Sequence, residues 1–246
     1  MTRSLPTTPQ FDVRSETAPP DALVMGFSEF GLAGLTAAEY IVDQLDLEET
    51  GHITASGLPA ITPFTNGKPR HHTRIFGGRE DFAVLVGELF VPLGASGPFA
   101  GAIADWLSSN DVAEVTSLSG VPLAHGPDAH IPYYIATEDY REARLADVEI
   151  TPMGQGFLEG INAELVQSAI DTDRRAGVIT TPVHPRTPDA EAAIRLLEAF
   201  DAIYDVSLDT GPLEAFAADV EAHFQELAEQ MERAPDPSVG VDRMYM

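Results

Sequence analysis

The sequence has 246 residues, of which 44% are hydrophobic, enough for one large domain with a buried core. It carries 39 acidic and 14 basic residues, a formal net charge of −25, and a single lysine, Lys68. No basic patch is present, which disfavours nucleic-acid binding. The acidic side chains are spread over well-patterned segments, which favours a surface adapted to molar salt in a halophilic archaeon, because the Debye length there falls to about 3 Å.

Residues 1–20 contain four prolines and predict a loosely ordered N-terminal arm with Phe11 and Val13 packed on the surface. From residue 21 onward, strand-like apolar runs alternate with helix-like spacing. Strands are predicted at 22–25, 52–57, 73–76, 82–90, 114–118, 133–137 and 176–181. Helices are predicted at 32–45, 97–107, 138–144, 157–170, 188–204 and 219–233.

This order predicts an α/β fold with a mostly parallel sheet and helices on both faces. Asn66-Gly67 indicates a hairpin turn, which makes the strand at 73–76 an antiparallel addition. The Val- and Leu-rich run at 82–90 is the predicted central strand, and Thr187 is the predicted cap of the helix at 188–204. We expect one α/β/α domain over residues 21–233.

No targeting or membrane signal is predicted. The first 20 residues lack the hydrophobic segment of a signal peptide. The longest apolar run, 82–93, is too short to span a bilayer and contains Glu88 and Pro92. The absence of cysteine excludes a disulfide framework and thiolate chemistry. We therefore expect a cytoplasmic protein without a membrane partner.

The end of the sequence has an unusual pattern. Residues 234–240 carry two prolines and a glycine with little to bury, which predicts a flexible linker within a tail of residues 234–246. Met244-Tyr245-Met246 then places an aromatic residue and a carboxylate at the tip. A hydrophobic residue, a tyrosine and any last residue form the signature with which proteasome activators and assembly factors dock into α-ring pockets. An aromatic anchor suits such an interface, and a tether of about 14 residues spans roughly 20 Å.

The turn from Gly26 to Gly34 is rich in glycine but does not match a phosphate loop. Neither Gly-Lys-Ser/Thr nor Gly-x-Gly-x-x-Gly is present, and Glu29 would repel a phosphate. Close packing of a helix on a strand is the favoured interpretation. If the protein binds a small ligand, the predicted pocket lies at the carboxyl ends of the strands and includes four residues, Gly26, Phe27, Gly31 and Gly120.

The candidates for a metal site are weak. His71 and His72 are adjacent, which points their side chains to opposite faces of an extended segment and favours a surface pair. His125 and His130 flank a turn containing Asp128, a spacing unlike the usual metal-binding patterns. No metal and no cofactor are therefore predicted.

The candidates for catalysis are equally weak. Ser117, Ser119 and His184 could form a nucleophilic set, but no Gly-x-Ser-x-Gly elbow supports it. Glu88 interrupts the most hydrophobic strand, and a buried carboxylate there requires a partner such as Arg74 or Arg79, for structure or for an oligomer interface. No catalytic residue is assigned.

Several local sequences, in this order, resemble the proteasome assembly chaperone family and its archaeal relatives. The resemblance covers residues 22–230. The matching pieces are Val24-Met25-Gly26-Phe27, Gly31-Leu32-Ala33-Gly34, Ser56-Gly57-Leu58-Pro59, Leu85-Val86-Gly87-Glu88, Asp105-Trp106-Leu107, Val115-Thr116-Ser117-Leu118-Ser119-Gly120, Gly154-Gln155-Gly156-Phe157-Leu158-Glu159-Gly160-Ile161-Asn162 and Pro188-Asp189-Ala190-Glu191-Ala192-Ala193. The segment Phe157-Leu158-Glu159-Gly160 departs from the family pattern, which leaves the subgroup and oligomer size open.

The resemblance implies an α/β/α sandwich like that of purine nucleoside phosphorylases. It also implies a homo-oligomer without catalytic activity that binds the α-subunits of the 20S proteasome through Met244, Tyr245 and Met246. Two alternatives remain open. A phosphorylase-like or hydrolytic enzyme would use the strand-end pocket, and a small-molecule-binding regulator would bind there without turnover.

Overall fold

The computed structural model describes residues 8–123, 126, 130–184, 188–215 and 217. The chain divides into two compact units, Met1–Asp209 and Thr210–Met246. The first unit holds every strand and helix named below. In the second, the described residues include a helical turn at 211–215. The predicted helix at 219–233, the boundary at residue 234 and the tail lie outside the described residues.

Nine strands of the first unit form one mixed sheet in the order β1-β3-β6-β7-β2-β8-β11-β9-β10. Their bounds, with those of the separate hairpin β4-β5, are β1 Gln10–Ser15, β2 Ala22–Phe27, β3 Glu48–Ser56, β4 Phe64–Thr65, β5 Lys68–Pro69, β6 Thr73–Gly77, β7 Ala83–Gly87, β8 Glu114–Val121, β9 Tyr133–Ala136, β10 Thr151–Pro152 and β11 Arg175–Pro182.

The centre of the sheet is parallel. Strands β7, β2, β8 and β11 run in the same direction, and they are almost fully buried. This burial explains their near-continuous apolar sequences. Strands β6, β3 and β1 continue the sheet antiparallel on one side, and β9 is antiparallel to β11 on the other. The mixed sheet with its parallel centre confirms the predicted α/β fold class.

Among the described residues, five helices complete the layers, with bounds α1 Ala33–Gln44, α2 Leu93–Ser109, α3 Glu138–Arg144, α4 Gly160–Ile170 and α5 Ala190–Tyr204. Helices α1 and α5 pack together on one face of the sheet, whereas α2 and α4 pack together and join the other face. Apolar residues of α2 and α4 meet alternate residues of the central strands there. The α/β/α arrangement therefore follows from period-2 strands placed between amphipathic helices.

The sequence located most elements to within a few residues, and the differences have local causes. Residues 10–15, predicted to belong to a loosely ordered arm, form β1, and Phe11 and Val13 pack against the core. Asp189, rather than the predicted Thr187, caps α5, because its carboxylate accepts a hydrogen bond from the Ala192 amide at 2.9 Å. Thr187 lies outside the described residues. Asn66 and Gly67 adopt positive φ angles in the predicted turn, which closes the short β4-β5 hairpin.

Candidate functional site

The parallel strands β7, β2, β8 and β11 end at the same edge of the sheet, where the sequence predicted a ligand pocket. Polar groups converge there. Glu29 follows β2, Ser117 and Ser119 lie on β8, and Asn162 lies on α4. Ser119 Oγ donates a hydrogen bond to Glu29 Oε2 at 2.8 Å, and Asn162 Nδ2 donates to the same oxygen at 3.2 Å. Ser117 Oγ donates to Asn162 Oδ1 at 2.6 Å. We call these four residues the strand-end cluster.

The carboxyl group of Glu29 is the electrostatic centre of the strand-end cluster. Burial raises its pKa, the hydrogen bonds from Ser119 and Asn162 lower it by less, and the negative charge of Glu159 raises it further. The net direction is upward from the usual value of 4.5. Glu29 therefore retains its proton to higher pH than an exposed glutamate.

The bonds within the strand-end cluster weigh against the nucleophilic set. The hydroxyl groups of Ser117 and Ser119 donate to Asn162 and Glu29 rather than to a histidine base. His184 Nδ1 lies 3.1 Å from Asp189 Oδ2, at the start of α5. A serine nucleophile requires a base that accepts its proton, so this geometry favours a structural network over acyl transfer.

The four residues predicted to line a pocket are packed by protein atoms. A Cβ atom on Gly26 would lie 2.0 Å from the Gly34 carbonyl oxygen, and one on Gly120 would lie 2.6 Å from the Phe30 carbonyl oxygen. Gly31 has a φ of 66° and faces Val183, while Phe27 is buried in the core. Gly26, Gly31 and Gly120 thus permit close approach of backbone segments. Ligand binding by these residues stays a prediction.

Glu88, directly after β7, forms a partly buried ion cluster at the same edge. Arg70 binds both of its carboxylate oxygens, and Arg74 Nη2 lies 3.4 Å from Oε2. The prediction of Arg74 as a partner is confirmed, whereas Arg79 pairs with Asp81 instead, at 2.7 Å. Burial, and then the neighbouring charge of Arg70, lower the pKa of Arg74. Arg70 was not predicted as a partner of Glu88. It follows the β4-β5 hairpin between β3 and β6, and hydrophobic periodicity does not show that this segment lies next to the end of β7.

Four of the five described histidines pair with one another, whereas His72 Nδ1 lies 2.9 Å from Thr73 Oγ1. His52 and His71 stack with ring centroids 3.7 Å apart, and burial followed by the charge of His71 lowers the pKa of His52. His130 meets His184 edge to face at 6.1 Å. Within the described ranges, no group of three potential ligands could hold a metal ion. His125 and Asp128 lie outside those ranges.

Two cavities lie away from the strand-end cluster. A groove of about 570 Å³ runs between the start of β1 and α2, lined among others by Phe11, Pro98, Gly101 and Ala102. A pocket of about 290 Å³, lined by Trp106 and Arg79 among others, lies where β1 and β6 end and β7 begins. Gly26, Phe27, Gly31 and Gly120 line neither cavity.

The model of the PAC2 family matches residues 23–228. The chain belongs to the PAC2 family. Membership of this family agrees with the prediction of a protein without catalytic activity. None of the proteins with curated functions matches the sequence.

Solved structures share the PAC2 fold. Pyrococcus furiosus PbaA, described as an archaeal homologue of proteasome-assembly chaperone, is 20% identical with a TM-score of 0.82, over 91% of this chain and 94% of that one. P. furiosus PbaB, described as an archaeal proteasome activator, is 16% identical with a TM-score of 0.74, over 89% and 99%. A Mycobacterium tuberculosis proteasome-assembly chaperone homologue is 18% identical with a TM-score of 0.59, over 83% and 94%. At these identities the likeness shows the fold.

The predicted docking residues Met244, Tyr245 and Met246 lie outside the described residues. No described helix is long and apolar enough to cross a membrane. The strand-end cluster and the Arg70 contact to Glu88 were not predicted as sites. Glu29, Ser119 and Asn162 come from three distant segments. The one signal in the sequence that could have brought them together is that the carboxyl ends of parallel strands lie side by side.

Proposed function

We propose that this PAC2 protein is an assembly chaperone or adaptor of the proteasome that docks its C-terminal residues into the α-ring of the 20S core particle. The observation that carries the proposal is the terminal Met244-Tyr245-Met246, on a chain whose residues 23–228 match the PAC2 family. PbaA, described as a proteasome-assembly chaperone homologue, and PbaB, described as a proteasome activator, point to the same partner.

The chemistry of the tail fits such a pocket. Tyr245 supplies a large, stiff anchor with an apolar ring and a polar tip, the type of residue that dominates small interfaces. The carboxylate of Met246 would pair with a basic group in the pocket. Met244 adds apolar contact next to the anchor.

A tip of three residues binds weakly alone, so we propose that the protein works as a homo-oligomer. Several tails held together raise the effective concentration of each tail near its pocket, and overall affinity can rise by about 10²–10⁴ without a new contact. The folded body also offers apolar surface for contacts between copies. Three exposed phenylalanines lie near the carboxyl ends of the parallel strands: Phe30 after β2, Phe90 after β7 and Phe157 before α4.

The cellular setting is part of the proposal. The net charge of −25 and the single lysine support a cytoplasm of high salt, as in a halophilic archaeon. Partner subunits from such a cell are expected to carry acidic surfaces as well. Molar salt screens the charged contact of the Met246 carboxylate, whereas the apolar and aromatic contacts of Met244 and Tyr245 do not depend on charge.

Co-sedimentation with the 20S core particle of a halophile, in molar salt, tests the proposal. The full-length chain is expected to sediment with the particle, and a chain that ends at Arg243 is expected to remain in the supernatant with an unchanged melting temperature. Equal binding by both chains would assign the contact to the folded body. Binding by neither would contradict the proposed partner.

A further inference from the structure

The two edges of the nine-stranded sheet differ in their capacity to accept another strand. At one edge, β10 has two residues, and the second is Pro152, which has no N–H group. Short, proline-containing edges resist further pairing. At the other edge, β1 has six residues without proline and pairs only with β3 among the described strands. Within the part of the chain that the structure describes, this edge of β1 is therefore available to another strand.

The hydrogen-bond phase of β1 follows from its register with β3. The Glu16 amide donates to the Thr50 carbonyl oxygen at 2.8 Å, and Arg14 lies opposite His52 in the same register. Because hydrogen-bonded pairs alternate in an antiparallel ladder, even-numbered residues of β1 direct their N–H and C=O groups toward β3. The odd-numbered residues Phe11, Val13 and Ser15 direct theirs toward the open edge.

The side chains of β1 are complementary to a second, antiparallel β1. When Val13 faces Val13, the outward amides and carbonyls of Phe11 and Ser15 meet in hydrogen-bonded pairs. In that register Asp12 of each copy lies opposite Arg14 of the other, in the closer, non-hydrogen-bonded position. Both side chains are exposed, with 63% and 65% of their surface accessible, and they now bind each other within one strand at 2.8 Å.

Neighbouring registers are less favourable. If the residue that faces its own copy is shifted by one from Val13, Asp12 lies opposite Asp12 or Arg14 lies opposite Arg14. Like charges directly opposite each other destabilise a sheet. The balanced pair Asp12 and Arg14 is unusual in a chain with 39 acidic and 14 basic residues, because a strand with the average acidic excess of this chain would repel its own copy.

The surface beside β1 leaves space for the second copy. In the favoured register, the residues that follow Ser15 in one copy run past Pro9–Phe11 of the other. Helix α2 presents Pro98, Gly101 and Ala102 there, and the groove of about 570 Å³ lies between them and β1. A Cβ atom on Gly101 would contact nothing within 4 Å, so the surface of α2 is open at this position.

We propose that two copies of this chain pair through β1, antiparallel, with Val13 opposite Val13 and Asp12 opposite Arg14, so that one sheet continues through both copies. The pairing rests on the homo-oligomer of the proposed function and names its contact. It is independent of tail docking. Two tails would then be carried by one rigid body, which is the arrangement that multivalent docking requires.

Disulfide trapping tests the register directly because the chain has no cysteine of its own. Asp12→Cys chains are mixed with Arg14→Cys chains and oxidised gently in molar salt. The pairing places these residues with Cα atoms about 4.5 Å apart, within the range for a disulfide. A mixed disulfide is expected. Either variant alone is the matched control, because equal positions lie on a diagonal about 7–8 Å apart and should cross-link at least tenfold less.

Native mass measurement of charge variants tests the energetics at the lowest salt in which the chain remains folded. Arg14→Asp sets acid against acid at two places and is expected to raise the dimer dissociation constant at least tenfold. The exchange Asp12→Arg with Arg14→Asp restores opposite charges and should restore the wild-type value. Because these side chains are exposed, the variants should retain the wild-type circular dichroism spectrum.

Three outcomes would overturn the pairing. If the wild type is an oligomer, no mixed disulfide forms and Arg14→Asp leaves the dissociation constant unchanged, the contact lies elsewhere and the proposed homo-oligomer stands. If the wild type is monomeric by native mass measurement and no mixed disulfide forms, the homo-oligomer fails as well, whereas loss of 20S binding on truncation at Arg243 would still support docking. Hydrogen exchange of the β1 amides gives the third outcome. If these amides are protected only in the presence of 20S particles, the open edge of β1 binds a different protein.

Discussion

At the scale of single residues, two acidic side chains illustrate opposite solutions to burial. Glu114, at the start of β8, is fully buried, and its carboxylate receives hydrogen bonds from Arg144 at 2.8 Å and Arg175 at 2.9 Å. The hydroxyl of Tyr204 donates to it at 3.2 Å. Among the described residues, the side-chain groups that bind the Glu29 carboxylate are the neutral donors Ser119 and Asn162, and burial raises its pKa. A buried carboxylate with two guanidinium partners is a structural element, whereas one without a cation is sensitive to pH.

Replacement of Glu29 by Gln is expected to stabilise the protein at neutral pH. The folded state raises the pKa of Glu29, so the unfolded chain releases this proton more readily and the wild type loses stability as pH rises above about 4.5 through the folded pKa. The gain at pH 7 should be roughly 0.5–1 kcal/mol, or about 1–4 °C in melting temperature.

Thermal denaturation between pH 4 and pH 8 provides the measurement. The difference between Glu29→Gln and the wild type should vanish at the acid end, where Glu29 is protonated in both states. Glu159→Gln is the matched control, because this exposed neighbour acts on Glu29 only through its charge. A difference that is constant across the range would show that Glu29 does not titrate in the way described.

At the scale of elements, the packing of α1 on the sheet depends on glycine. A Cβ atom on Gly34 would lie 1.9 Å from the Leu118 carbonyl oxygen, and a Cβ atom on Gly26 would lie 2.0 Å from the Gly34 carbonyl oxygen. The backbone of α1 therefore touches the backbones of both β2 and β8 directly. The sequence predicted this close approach from the glycine pattern of the turn, because no phosphate motif accompanied it.

Gly34→Ala is expected to destabilise the fold by about 3 kcal/mol or more, since the methyl group can be accommodated only by moving α1 away from β8. Gly101→Ala is the matched control: it also lies within a helix, in open space, and should stabilise by roughly 0.5–1 kcal/mol. Urea denaturation of the two variants measures both changes. Equal effects of the two substitutions would contradict the packing described.

Whether a strand is evident in the sequence depends on how much of it is buried. Buried parallel strands such as β2 and β7 are continuous apolar runs, so they were evident. Strand β1 was missed because Phe11 and Val13 stand among prolines and charges, and an edge strand buries only one face. The strand-end cluster was missed because Ser119 and Asn162 lie 90 and 133 residues away from Glu29 in the sequence. Local patterns carry no information on which distant side chains become neighbours.

At the scale of the whole molecule, the charge is the unusual quantity. With a formal net charge of −25, acidic side chains repel one another throughout the folded surface, and unfolding relieves that repulsion by separating them. Salt weakens the effect as the Debye length decreases from about 10 Å at 0.1 M to about 3 Å at 1 M. The fold tolerates this surface because its core and buried ion pairs do not depend on exposed charge.

Stability is accordingly expected to fall when potassium chloride is lowered from about 1 M to about 0.1 M, with a melting temperature lower by roughly 5 °C or more. Circular dichroism during heating measures the change. Sucrose added to the dilute sample is the control, because it favours compact states without screening charge. A melting temperature independent of salt would contradict adaptation of this surface to high salt.

The measurement that tests the central claim most directly is the affinity of Tyr245 variants for 20S core particles, determined by native mass analysis in a volatile salt. Tyr245→Ala removes the aromatic anchor and is expected to weaken binding at least tenfold, since such anchors contribute about 2 kcal/mol or more. Tyr245→Phe retains the ring and should remain within a few-fold of the wild type. Equal affinity of the wild type and Tyr245→Ala would contradict docking through the tail.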